Sequence, residues 1–162
     1  MKSFAALIAL ALCAVGFAQK GPKADAVIPM MFKQAQKAFE DKNTDAVAKI
    51  TTEDFTETSM GKTAKKAESM KGLKQFLGMF KTVHCKYTMT SLKSKGNSAT
   101  TTETIHLWGD SMPDPKTHKS GKIDASRNQT CNWVLQGGHW MVKSMVATNE
   151  KMTLNGKPMM GG

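Results

Sequence analysis

Arginine is almost missing from this chain of 162 residues: Arg127 is the one guanidinium among 23 basic side chains. Its scarcity removes the bidentate recognition of phosphates and base edges, so nucleic acid is excluded as a partner. Tyrosine is equally rare, with Tyr87 the single example. The longest apolar run, Phe4 to Val15, falls short of the roughly 20 residues that cross a bilayer, which excludes stable membrane insertion. His84, His106, His118 and His139 lack ligand-like spacing, and no nucleophile motif, phosphate loop or metalloprotease signature occurs, so neither a metal nor a cofactor is expected. Cysteine is limited to Cys13, Cys85 and Cys131.

What is present begins with a leader. Lys2, the apolar run and the small residues of Gly16-Phe17-Ala18 read as a signal peptide over residues 1–18, leaving Gln19 as the first mature residue. The expected localisation is therefore periplasmic or secreted. A lipidated Cys13 is the alternative, but Leu12 stands where a small residue is needed. Residues 19–25 read as a disordered lead-in, 26–150 as one domain and 151–162 as a frayed tail. The formal net charge of +10 suits anionic partners in general and reads most simply as a solvated lysine surface. The thirteen methionines read as core filler, with Cu(I) binding as the alternative that soft thioethers allow.

From Ala26 the pattern is helical, with Val27, Met31, Ala35, Ala38 and Phe39 on one face and Pro29 in the first turn. Thr44 is placed to cap a short second helix over 45–50. An alternating strand over 52–59 meets a turn at Met60-Gly61-Lys62 and a second short strand. A basic helix over 64–81 carries Met70, Leu73, Phe76, Leu77 and Phe80 on its apolar side. Strands follow over 83–94 and 99–108, then a long loop over 109–121, then a hairpin over 123–148 that turns at Gly137-Gly138. A two-residue turn there opposes Leu135 to Trp140, Trp133 to Val142, Cys131 to Ser144 and Gln129 to Val146.

The order of these elements resembles the nuclear transport factor 2-like superfamily, which includes SnoaL-like domains and ketosteroid isomerase. Local wording adds to it. Phe39-Glu40-Asp41-Lys42-Asn43-Thr44-Asp45 followed by Thr52-Glu53-Asp54-Phe55 looks like that superfamily's opening helix, acidic joint and first strand. Asp114-Pro115-Lys116-Thr117, Gly137-Gly138-His139-Trp140 and Thr153-Leu154-Asn155-Gly156-Lys157-Pro158 are similar to exported bacterial members of unassigned activity. The resemblance implies an α+β fold, a curved, mostly antiparallel mixed sheet wrapped around N-terminal helices as a cystatin-like cone with an internal cavity. It also implies a possible homodimer through the outer face of the sheet. The isomerase's catalytic groups do not carry over: its helical tyrosine falls near Ala35 and its general-base aspartate near Ser59.

Extending the register by matching apolar faces sets Glu103 beside Arg127, Ile105 beside Ala125 and Thr101 beside Gln129. The preceding strand then sets Tyr87 beside Ile105, Met89 beside Glu103 and Cys85 beside Leu107. Under this register Tyr87, Glu103, Arg127, Gln129 and Ser144 converge on the covered face among Trp133, Trp140, Val142 and Val146, which is the pattern of a ligand site. Glu103 and Arg127 read as a structural ion pair or as groups that orient a ligand. Cys85 and Cys131 lie on strands separated by a third, at least about 9 Å apart, and a disulfide requires less than about 7 Å, so two buried thiols are expected. The leading reading is an exported protein that binds a small apolar or amphipathic molecule. An isomerase, hydratase or cyclase using Glu103 or Tyr87 is the second, and an interaction or dimerisation module the third.

Overall fold

The computed structural model of the chain describes residues 21–159, so the leader, the alternative at Cys13 and the last three residues lie outside the described residues. Three helices precede or interrupt the strands: α1 (Ala24–Glu40), α2 (Thr44–Lys49) and α3 (Lys66–Gly78). Helix α1 begins two residues ahead of the expected Ala26, which places Pro29 inside the helix rather than in its first turn. Of the expected lead-in, Gly21 to Asp25 belongs to the folded body, because the Trp140 indole donates to the Pro22 carbonyl at 2.7 Å. Ile28, Phe32, Ala35, Ala38 and Phe39 form the buried stripe of α1, at the three-to-four spacing that a core-facing helix needs. Helix α2 is capped by Asn43, not Thr44: the Asn43 side chain accepts from the Ala46 amide at 3.0 Å.

The strands are β1 (Thr51–Ser59), β2 (Lys62–Lys65), β3 (His84–Lys95), β4 (Ser98–Asp110), β5 (Lys122–Gln136), β6 (His139–Leu154) and β7 (Lys157–Pro158). Six of them line up in the order β2-β1-β6-β5-β4-β3, with β7 paired to β6. β1 runs parallel to β6, and every other pairing is antiparallel. The expected frayed tail is instead structured through Met159: β6 continues to Leu154, turns at Asn155-Gly156 with positive φ at both residues, and returns as β7. An Asn-Gly pair tolerates that left-handed backbone, so the turn forms where other residues would resist it.

Register decides which side chains face the helices. β3 and β4 pair as expected, with Tyr87 opposite Ile105, Met89 opposite Glu103 and Cys85 opposite Leu107. Between β4 and β5 the expected register is corrected by two residues: Glu103 faces Gln129, Ile105 faces Arg127 and Thr101 faces Cys131. A shift of two leaves every side chain on its expected face, so face matching alone cannot detect it. Between β5 and β6 the pairs nearest the turn hold, Leu135 with Trp140 and Trp133 with Val142. An irregularity between Asn132 and Trp133 then sets Ser144 opposite Asn132 and Val146 opposite Thr130. This reverses the expected facing of β6: Ser144 and Val146 lie on the outer face, Met145 and Ala147 on the inner one. Cys85 and Cys131 are buried free thiols on the two strands that flank β4.

Two apolar clusters fill the space under the sheet. One gathers Phe39, Leu77, Phe80 and Ile105, the other Ile28, Phe32, Phe55, Trp133 and Trp140. Met70 and Tyr87 touch both, which marks the strip where the clusters meet.

Candidate functional site

A cavity of about 540 Å3 opens between α1, α3 and the inner face of the sheet. Its apolar walls include Phe32, Phe39, Phe55, Met70, Trp133 and Met145. Tyr87, Glu103, Arg127 and Gln129 line it as well, so five of the seven residues singled out from the sequence, Trp133 among them, share one wall. The other two do not. Trp140 is buried behind the wall against Pro22. Ser144 stands on the outer face, where its hydroxyl accepts from Asn132 Nδ2 at 3.0 Å.

The polar groups form one continuous chain of hydrogen bonds across the strands. Arg127 Nη1 donates to Glu57 Oε1 at 2.8 Å and Nε to Gln129 Oε1 at 3.0 Å. Gln129 Nε2 donates to Glu103 Oε1 at 2.8 Å, and the Cys131 thiol donates to the same oxygen at 3.0 Å. At the other end Ser69 of α3 donates to Glu57 Oε2. The expected Glu103–Arg127 pair is thereby corrected: the two-residue register shift inserts Gln129 between them, and Glu57 takes the guanidinium. Sequence reasoning missed Glu57, Ser69 and Met145. Glu57 was detectable, because it lies two residues beyond Phe55 in an alternating strand and shares that buried residue's face. Met145 was hidden by the irregularity in β6.

Burial sets the chemistry of the titratable groups. The Tyr87 phenol is pushed well above its ordinary range, first by burial and then by the neighbouring Cys85. It stays protonated at neutral pH and can donate but not act as a base. Its ring is held by Phe32 and Phe39, with centroids 5.4 and 6.0 Å away, and no hydrogen bond among the described residues reaches its hydroxyl. The Cys131 thiol is raised by burial and by the adjacent Glu103 carboxylate, which keeps it from nucleophilic work. Glu103 is 1% exposed and its Oε2 has no partner among the described residues. That carboxyl is held at its other oxygen by Gln129 and Cys131 in the cavity wall. Among the described residues no group of three or more His, Cys, Asp or Glu side chains is placed to hold a metal ion. The arrangement can bind and orient a molecule in the cavity.

The Glu57–Arg127 pair is only partly wet, with side chains 16% and 25% exposed. Arg127→Met is expected to lower stability by about 2 kcal/mol, somewhat less than for a fully sealed pair, because Glu57 keeps Ser69 and some water. The double variant E57Q/R127M is expected to recover most of that loss in urea unfolding. Additive losses would show that the two groups are not coupled.

No protein-family model matches the chain, and no curated protein matches it in sequence. Solved structures do. The hexachlorocyclohexane dehydrochlorinase LinA type 2 superposes with a TM-score of 0.63 at 14% identity, covering 86% of this chain and 90% of that one. An NTF2-like protein of unknown function from Shewanella oneidensis MR-1 gives 0.58 at 15% identity, covering 78% of this chain and 100% of that one. A protein of unknown function with a cystatin-like fold, from Nostoc punctiforme PCC 73102, gives 0.58 at 11% identity over 79% and 92%. Identities of this size speak to fold and not to activity. With its helices packed on one side of an open seven-stranded mixed sheet, this chain has the nuclear transport factor 2-like, cystatin-like cone fold.

Proposed function

We propose that this chain is an exported binding protein that holds one small, largely apolar or amphipathic molecule inside the cone. The observation that carries this reading is the cavity itself. Its volume of about 540 Å3 falls in the range of small-molecule sites, roughly 300–1,000 Å3, and its aromatic and thioether walls are interrupted by a single line of polar groups. Such walls remove apolar ligand surface from water, and the polar line fixes orientation. The basic start and apolar run of residues 1–18 support export. The outer face, where Val146 and Trp108 are 43% and 36% exposed, is the surface through which two copies would pair.

Native mass spectrometry of the purified mature protein tests the reading. The expected spectrum shows a minor or major population heavier than the chain by one small molecule, released on denaturation. A spectrum of bare chain that stays bare after exposure to apolar and amphipathic compounds would contradict it. The same spectrum reports whether copies pair.

A second reading is supported by Tyr87. Its phenol, without a hydrogen-bond partner among the described residues, is an oriented donor in the cavity wall to charge developing on a bound substrate, and one similar structure is a hexachlorocyclohexane dehydrochlorinase. Tyr87→Phe would then abolish turnover while leaving ligand retention intact. Glu103 lines the same cavity with its Oε2 unpartnered among the described residues, and is the other candidate for this reading.

A further inference from the structure

We propose that the molecule held in the cavity is an amphipathic carboxylic acid, its carboxylate on Arg127 and its apolar body against the aromatic wall. The inference rests on the binding reading above and adds the identity of the head group. Arg127 is the starting point. Three of its five N–H donors are engaged among the described residues, and one of those, on Nη2, meets only the Met145 thioether at 3.5 Å. Sulfur is a weak acceptor, and a guanidinium in an apolar wall with donors left over matches the planar oxygens of a carboxylate.

The two carboxyl groups nearby do not repel such a ligand as strongly as their number suggests. Each Glu57 oxygen already accepts from a donor, Arg127 on one and Ser69 on the other, and its side chain is 16% exposed against 25% for Arg127. Glu103, 1% exposed, accepts from Gln129 and Cys131 at one oxygen. The cation is therefore the more accessible member of the cluster. The mouth adds to it: Lys62 and Lys151 line the same cavity, both are exposed, and neither has an ion-pair partner among the described residues. Lys65, Lys71 and Lys74 stand exposed on or beside α3, the helix that borders the mouth. Glu68 and Glu150 line the mouth too, but Glu150 is occupied by the Ser59 hydroxyl at 2.7 Å. Lys62 and Lys151 thus balance Glu68 and Glu150 in the lining, and Lys65, Lys71 and Lys74 beside it tip the rim to positive, which raises the local concentration of an anion.

Calorimetric titration with three probes of one chain length tests the head group: decanoate, 1-decanol and decylamine. Decanoate is expected to bind one to one and roughly tenfold or more tighter than 1-decanol, the difference a charged hydrogen bond makes. The paired variant E57Q/R127Q, which removes both members of the ion pair together, is expected to erase that preference while still binding 1-decanol. K62E/K151E, on the exposed rim, is expected to weaken decanoate at low salt and to flatten its salt dependence. If 1-decanol or decylamine binds as well as decanoate, or if E57Q/R127Q keeps the preference, the head-group assignment is overturned and the binding reading stands. If none of the three binds, both fail.

Discussion

Replacing Trp133 by alanine is expected to lower stability by about 3–5 kcal/mol, read as a fall in the urea midpoint at unchanged slope. Trp133 is 2% exposed and its ring meets Phe32 edge to face, with centroids 5.6 Å apart. Truncation empties that contact beside a cavity that already exists, so neighbouring side chains have little behind them to hold a collapsed position. A second loss is polar. The Trp133 indole donates to Thr101 Oγ1 at 2.9 Å, and Thr101 is wholly buried. Alanine leaves that hydroxyl unmet, and so does phenylalanine, which restores most of the apolar volume. Trp133→Phe is therefore expected to cost about 1–2 kcal/mol, the share that belongs to the hydrogen bond. Equal losses for the two variants would mean that the indole hydrogen bond, not packing, dominates at this position.

Alkaline pH is expected to destabilise the protein well before the backbone is attacked, and Cys85 accounts for a separable part. Burial, and after it the neighbouring Glu40, pushes the Cys85 thiol from 9.0 up to about 12. The thiol is 2% exposed, so solvent does little to soften the shift. A folded-state value above the unfolded one means that the unfolded chain releases its proton first. The contribution is complete below pH 9 and is lost as pH rises toward 12, on the order of 4 kcal/mol for this one group. Tyr87 and Cys131 are raised as well and act in the same direction. Guanidinium unfolding at pH 8 and pH 11 should show a steep fall for the wild type and a shallower one for Cys85→Ala. The comparison between the two chains removes the common effect of the lysines losing charge. Parallel lines would show that Cys85 ionises in the folded protein as readily as in water.

How far the sequence led depended on what fixes each feature. Periodicity placed the helices and strands within a few residues, because the inward stripe of α1 and the alternation of β1 are set by burial. A short turn carried register where it is two residues long: Gly137-Gly138 fixed the first pairs of β5 and β6, whereas β3 and β4 reach the expected pairs of Tyr87 and Met89 only beyond an irregularity between Met89 and Ser91. Across the loop at 111–121 no such constraint exists, and the pairing of β4 with β5 was displaced by two residues. The structure ties that loop by its own bonds, Ser111 amide to Gly121 carbonyl and Gly121 amide to Ser111 Oγ, both 2.8 Å. A local irregularity was equally silent in the pattern, and it turned Ser144 out of the site and Met145 into it. The membership of Tyr87, Glu103, Arg127, Gln129 and Trp133 in one wall survived, because a shift of two keeps the face. Their partners did not, because partnership depends on register.

The central claim is that the space beneath the sheet is open and accepts a ligand, and Ala35→Phe addresses it most directly. Ala35 lies on the buried face of α1 and lines the cavity. If the room is there, the phenyl ring enters it: stability measured by thermal unfolding should hold or rise, and one-to-one binding of 1-decanol, present in the wild type, should disappear. If the interior is packed, the same substitution should cost the 1–3 kcal/mol typical of overpacking. That outcome, or 1-decanol binding undiminished in Ala35→Phe, would contradict the cavity and the function built on it.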